Sequence, residues 1–534
     1  MKKYIPALFV LLALFCLLPG CGKSKKIGTG AWDPDGQLVL NIGGEPSYLN
    51  PILARDVPSS AVVGMVFNGL LKVNSKLELV PDLAQRYTVS ADGRVYTFFL
   101  RKDVKFHDGH PFSASDVIFT FSKILDPRTN TVRRSDFVIE GKPIQFKALD
   151  PYTIQAILPK PFAPFLVHMT TGILPAHVLF NQDINTTRFN RQPLGTGPFI
   201  FDKWKSGDYV LLKRNPNYFG TKPKLAKILL RIIPDQNTAL LALQKGEIDE
   251  TNIQAKDVEK LKKHPLFRIY HFQTLQYNFL GFNLKKPLFS DSRVREAIAH
   301  AINKPAIVKG VLKGYGKVAD LPSSPVSWAY PPDDQIKKFD FNPAKSRQLL
   351  KEAGLLWNGK LKRFEQKGKP VEFTMITNKG NAEREKVAQM MQQFLADVGI
   401  KMNIQVMEWS SFVKVLNDPK DPKAFDAIML AWQLGIDPDA LSVWHTQEYP
   451  KGFNLIGYSN PEVDTLLQQG REATSNASRK EVYASLFTKI AADSPYVFLY
   501  YPESVVGINK RVKGLSEPGP AGMMAEIEKV YVVK

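Results

Sequence analysis

A chain of 534 residues exceeds the size at which one hydrophobic core stops growing, so two or three domains are expected. Hydrophobic residues at 44% and charged residues at 23% are ordinary for a soluble globular protein. The 71 Lys and Arg against 51 Asp and Glu leave +20, but the excess is spread along the chain without a basic tract, which argues against a nucleic-acid footprint.

The N-terminus speaks to the compartment. Lys2 and Lys3 precede an apolar run, Ile5 to Leu18, that ends Leu18-Pro19-Gly20-Cys21. A basic start, a short apolar stretch and a small residue before the cut describe an export signal over 1–20. The run is shorter than the ~20 residues a membrane span needs. Gly20-Cys21 resembles a bacterial lipobox, with Pro19 a departure from it. In that reading Cys21 is lipidated and 21–36 is a tether, which places the protein on the periplasmic side of the cell envelope, held to a membrane. A plain signal peptide is the alternative. Without a second cysteine after the cut, no internal disulfide and no thiolate metal site is expected.

Gln37–Ile42 alternates as a first strand. Val62, Val63, Val66, Phe67, Leu70 and Leu71 fall at helical spacing, with Ser59 or Ser60 as the cap. Asp92-Gly93 marks a hairpin turn before the alternating Arg94–Leu100. Ser113 with Asp116 is a capping box that opens a helix stopped by Asp126-Pro127. Gly195-Thr196-Gly197-Pro198 lacks the Lys-Ser/Thr of a phosphate loop and reads as a tight turn before a strand at Phe199. Lys224–Pro234 reads as a strand, Gln236–Lys245 as a helix and Leu275–Phe282 as a strand. Asp291 caps a helix, and Lys304-Pro305 starts the next. Glu383–Val398 is amphipathic and Gly399 closes it; Lys401–Met407 then alternates as a strand. Phe425–Gln433 is apolar on both faces and reads as a buried strand. It opens into a loop of Gly435, Asp437, Pro438 and Asp439, flanked by Trp432 and Trp444. Arg479–Ala491 is helical, and Val497–Tyr501 and Val505–Ile508 return as two strands. Alternating helices and strands of this kind argue for α/β layers.

Four stretches carry a resemblance. They are Gly44–Phe121, Pro193–Gly220, Phe282–Lys304, and Phe425–Thr446 continuing to Asn454–Arg471. In this order they resemble the bacterial extracellular solute-binding proteins of family 5, which serve oligopeptide, dipeptide and nickel ABC importers. The resemblance implies an α/β, two-lobed periplasmic-binding-protein fold of type II, with an extra inserted domain and a hinge of two crossovers. Mapped onto this chain, the first lobe is 37–73 with 192–279 and 500–534. The insertion is 74–191 and the second lobe 280–499. The implied partners are a peptide ligand and the permease and ATPase subunits of an importer, for a protein expected to be monomeric. No cofactor is implied.

The residues offer little for catalysis: no GxSxG, no HExxH, no Walker A. His107 and His110 are a close pair, read as a surface turn rather than a metal site. The resemblance implies an extended ligand that adds to strands of both lobes. The matching positions are Arg55-Asp56-Val57 in the first lobe and Ala431-Trp432-Gln433 in the second. Trp409 is a further aromatic candidate for the wall. Relatives often carry, three residues after this tryptophan, an aspartate that holds the ligand's ammonium group. Gly435 stands there in this chain, with Asp437 or Asp439 as substitutes, and Arg55 would suit a carboxylate. The expected function is therefore capture of oligopeptides or dipeptides for an ABC importer. The alternatives are a nickel chelate or oligosaccharide receptor, a signalling sensor, and an envelope peptidase or chaperone.

Overall fold

A computed structural model describes residues 30–473 and 475–534. The leader, Cys21 and most of the tether lie outside the described residues. A twelve-stranded sheet runs through the whole molecule. Its first half holds strands Phe199–Lys205, Tyr209–Arg214, Lys227–Arg231, Gln37–Asn41 and Glu250–Asn252, in that spatial order. Its second half holds Gln276–Phe282, Ala427–Gln433, Glu372–Asn378 and Lys401–Met407. One strand of 14 residues, Tyr496–Asn509, belongs to both halves. Its end pairs with Phe267–Gln273 (Glu503 opposite Gln273), and its start pairs with Gln276–Phe282 (Gly281 opposite Tyr496).

The chain thus passes between the halves at Thr274–Leu275 and again at Pro502–Glu503, where the Thr274 hydroxyl donates to the Pro502 carbonyl at 3.1 Å. The two strands expected at 497–501 and 505–508 are one, because Pro502 does not break the extended chain and sits opposite Gly316 in the ladder. Two extended segments side by side can bend together while their halves stay rigid.

In the second half, Glu372–Asn378, helix Ala382–Asp397 and Lys401–Met407 form a parallel crossover unit. Gly399, at φ +90°, makes the turn between helix and strand. Residues 84–157 add a separate antiparallel sheet, ordered Ala84–Val89, Val95–Leu100, Thr153–Ile157 and Gln145–Asp150. Its core is continuous with that of the first half: Phe98, Phe121 and Ile154 belong to one buried cluster with Leu38, Ile228 and Val506. Helix Ala114–Leu125 covers it and starts with the Ser113–Asp116 box.

The first helix departs from the expectation. It runs Val57–Val66, not on to Leu71, and Asp56 caps it by accepting the Ser59 N–H at 2.8 Å. It ends because Gly69 is pressed against the backbone of Met169 and Thr170, and Leu71–Val73 leaves as a strand. Gly195 and Gly197 pass under its last turn. The Gly197 N–H donates to Val66 O at 2.8 Å, and a Cβ on Gly195 would lie 2.0 Å from that same oxygen.

Gly195→Ala should therefore destabilise the protein by about 2–3 kcal/mol, because backbone must move to admit the methyl group. Gly64→Ala, in the same helix with nothing within 4 Å, should stabilise it by about 0.5–1 kcal/mol. Thermal melts of the two variants against the parent should shift in opposite directions.

Candidate functional site

Strand Ala427–Gln433 lies between two neighbours that do not cover it equally. Gln276–Phe282 pairs along its whole length, from Gln276 opposite Gln433 to Phe282 opposite Ala427. Glu372–Asn378 pairs with it only at Met375–Ala427 and Ile376–Ile428, then turns away. The Thr377 hydroxyl, donating to Met429 O at 3.0 Å, is the last contact on that side. Register then decides which main-chain groups stay free. The Leu434 N–H donates to Leu275 O at 2.7 Å, so every second residue back, Trp432 and Leu430, also turns its main chain toward Gln276–Phe282. Ala431 and Gln433 face the other way, and there no strand meets them among the described residues.

Of the expected triad, two residues therefore offer a main-chain edge and the third does not. Trp432 is held by packing: its ring stacks over Phe279, lies edge-on to Phe453, and its Nε1–H donates to the Tyr496 hydroxyl at 3.4 Å.

At the Gln433 end of strand Ala427–Gln433 lies a polar cavity of about 240 Å³. Gln433, Asn278 and Tyr500 line it, with Gln254 from the first half and Glu383 and Arg384 from the start of helix Ala382–Asp397. Arg384 was not singled out by its sequence, where it reads as one charge on an amphipathic helix. It is only 8% exposed, and no carboxylate lies within ion-pair distance of it among the described residues. One terminal nitrogen donates to the Asn378 side chain, and its Nε has no partner. Burial pulls its pKa below the ordinary arginine value, partly offset by the nearby Tyr500 hydroxyl. A buried guanidinium without a counter-ion is costly, and a carboxylate is the group that its fork of N–H donors fits. Glu383 beside it is occupied: it accepts the Ala255 N–H at 2.9 Å, and burial raises its pKa.

Trp409 crosses to the other lobe. A Cβ built on Gly44 would be 3.2 Å from its indole and 3.4 Å from Pro58, so the ring lies on the first half's loop. Its buried Nε1 also lacks a partner. Beyond it an open groove of about 710 Å³ runs between Tyr48 and Arg191 on one side and Val413 and Lys414 on the other.

The remaining expected residues are placed differently. Val57 is 66% exposed but is the first residue of a helix, not a strand. The Asp56 carboxylate is occupied by the Ser59 N–H and hydroxyl. Arg55 donates to the carbonyl and side-chain oxygens of Asn130, at 2.8 and 3.0 Å, and faces Lys423 of the second half. Burial and, to a smaller extent, this arginine bring the Lys423 amine down to about 8, against the Asp418 charge, which pulls it up.

Gly435 is exposed, and no carboxylate replaces the missing aspartate. Asp437 is held by Arg479 at 2.8 and 2.6 Å, and Asp439 by Arg471 at 2.7 Å. Both are clamps between the loop and the helices Pro461–Glu472 and Asn476–Asp493. Burial alone would raise the Asp439 carboxyl, but Arg471 outweighs it and the net shift is downward. The His107 Nε2–H donates to Gly197 O at 3.0 Å while its Nδ1 accepts the Gly195 N–H at 3.3 Å, and His110 stacks on His177.

Arg471 also reaches across to the inserted sheet's domain. Its Nη1 donates to Ser135 O at 3.0 Å, and its own carbonyl accepts the Ala163 N–H at 2.8 Å. Asp136, His168 and Glu448 complete this junction, and burial pushes the Glu448 carboxyl up to about 7.

A family model described as bacterial extracellular solute-binding proteins, family 5 Middle, matches residues 78–454. The oligopeptide-binding protein AppA of Bacillus subtilis (strain 168) is 34% identical over 545 residues, covering 100% of this chain and 99% of that protein. The structure of AppA from Bacillus subtilis in complex with a nonapeptide matches with a TM-score of 0.88 at 33% identity, covering 93% of this chain and 99% of that one. NikZ from Campylobacter jejuni in complex with Ni(L-His) matches with a TM-score of 0.85 at 30% identity, covering 93% and 100%. DppA from Helicobacter pylori in complex with the peptide STSA gives 0.83 at 30%, covering 93% and 98%.

The Glu448 junction makes stability depend on pH with a definite sign. A carboxyl whose folded pKa is about 7 keeps its proton where the unfolded chain has lost it, so the folded state binds more protons between about pH 4.5 and 7. Stability from this group is present below that window and is lost as pH rises through it. Glu448→Gln should remove the dependence, so that melting temperatures of parent and variant diverge between pH 5 and pH 8, with the parent falling.

Proposed function

We propose that this chain, which belongs to the bacterial extracellular solute-binding proteins of family 5, is the substrate-binding component of an ABC importer. It captures an oligopeptide or dipeptide between its two halves and delivers it to the permease. The observation that carries this reading is the unpaired edge at Ala431 and Gln433, whose Gln433 end borders a cavity that holds a buried arginine without a counter-ion among the described residues. An extended peptide pairs its own main chain with that edge, which gives affinity without reading side chains. A carboxylate of the guest goes to Arg384, and the Trp409 Nε1–H donates to a guest carbonyl. With the Asp437 and Asp439 carboxylates occupied, recognition relies on the guest's acid group rather than its ammonium.

Transport then follows from closure. A guest that touches Gln433 and Arg384 on one half and Gln254 on the other binds the closed arrangement better than the open one. It shifts the population by that difference and no more. The reading requires no bond to be made or broken, so the protein acts as a receptor and not an enzyme. Lipidation at Cys21, a tether to residue 36 and a monomeric state belong to the same proposal. So does a division into a first lobe from 37, an insertion at 74–191 and a second lobe between the passages at 274–275 and 502–503.

Isothermal titration with one peptide, as free acid and as C-terminal amide, tests the reading. A charge-assisted hydrogen bond contributes about 1.5–3 kcal/mol, so the free acid should bind about ten- to a hundred-fold more tightly. Arg384→Gln should abolish that difference while leaving amide binding within about two-fold. Equal affinity of acid and amide for the parent protein would rule out Arg384 as the carboxylate site, and release of cleavage products would rule out a pure receptor.

A further inference from the structure

Away from the cleft the second half carries a small antiparallel sheet of Leu356–Asn358, Arg363–Gln366 and Lys369–Pro370. Its position is fixed by Trp357, which lies edge-on to the buried Phe364 at 5.2 Å and covers Gly399, where a Cβ would come 2.5 Å from the indole. Gly399 starts the strand Lys401–Met407, whose other end leads to Trp409 at the cleft. The hairpin is thus roughly 20 Å from the cleft, at about 3.3 Å per strand residue.

Its surface departs from an ordinary solvated face. Leu356 is 69% exposed, Leu361 in the turn 52%, and Trp357 39%. Between residues 343 and 369 there are eight basic side chains, at 345, 347, 351, 360, 362, 363, 367 and 369, against Glu352 and Glu365, which leaves +6. Only Arg363 is paired, with Glu365 at 2.8 Å; the other seven form no ion pair among the described residues. Leu361 sits between two of them, Lys360 and Lys362. Arg347, Lys351 and Trp357 line an open depression of about 420 Å³ beside the hairpin.

We propose that this hairpin docks on an anionic phospholipid membrane surface. Unpaired amines surrounding exposed leucines and an indole match such a surface on both counts. Leucine side chains enter the boundary between headgroups and acyl chains, tryptophan sits at headgroup depth, and lysines lie over phosphates. The attraction acts within a Debye length and weakens with salt. The contact steadies the second half beside a membrane while leaving the cleft open to its guest. It does not depend on the peptide-binding reading.

The test is co-sedimentation of the full chain with vesicles of phosphatidylcholine alone or mixed with phosphatidylglycerol. All variants share one full-length background, so the leader contributes equally. Lys360→Gln with Lys362→Gln should lower partitioning onto the anionic vesicles about ten-fold or more, and Leu361→Ser should lower it as well. Lys102→Gln with Lys105→Gln, an equal loss of charge on the inserted domain, should leave it within about two-fold. Peptide affinity should not change in any of them. Equal losses from the two double variants would reduce the effect to net charge and overturn the proposal. So would equal binding to both vesicle types, or binding that appears only when the permease is present in the vesicle.

Discussion

Among the described residues, the main-chain N–H and C=O groups of Ala431 and Gln433 meet no strand on one side, and the rest of the molecule is arranged around that gap in the ladder. Buried sheets rarely leave such groups unmatched, because an unpaired N–H or C=O away from water is costly. Here the unpaired edge results from the splaying of Glu372–Asn378 after Ile376, and Gln433 at the end of that edge lines the cavity holding Arg384. Under the proposed function, a guest strand completes the edge and a guest carboxylate neutralises the cation.

The halves are connected so that this edge can be covered and uncovered. Strand Tyr496–Asn509 and the pair Phe267–Gln273 and Gln276–Phe282 bridge them as extended chain, which bends without breaking either core. Across the mouth, contacts include Trp409 on Gly44, the Gln236 N–H donating to Gly380 O, Glu383 accepting the Ala255 N–H, and Arg471 against Ser135 and Ala163. Of the buried side-chain atoms without partners among the described residues, those on Arg384 and Trp409 border the space between the halves and that on His168 lies at the Arg471 junction.

Much of the scaffold was legible in the sequence because it follows from local rules. The Asp92-Gly93 hairpin, the Ser113–Asp116 box, the Asp291 cap and the helix closed by Gly399 all form as their residues dictate. The resemblance singled out Arg55-Asp56-Val57 and Ala431-Trp432-Gln433, of which Ala431 and Gln433 turn their main chain away from Gln276–Phe282. What could not be read depends on distant partners. Helix Val57–Val66 stops where Gly69 meets Met169, a hundred residues further along the chain. Asp437 looks like a turn residue until Arg479, 42 positions away, takes its carboxylate. Arg384 looks like a solvated charge until the fold buries it. A single sequence carries helical spacing but not the burial that distant segments impose, so this cation could not be read from it.

Site-resolved amide hydrogen exchange with and without a saturating peptide tests the central claim most directly. The account predicts that the Ala431 and Gln433 amides exchange freely in the empty protein and slow at least ten-fold in the complex, with Trp432 and Leu434 unchanged because they are already bonded to Gln276–Phe282 or its flank. Peptide binding that leaves the 431 and 433 amides as open as before would contradict it.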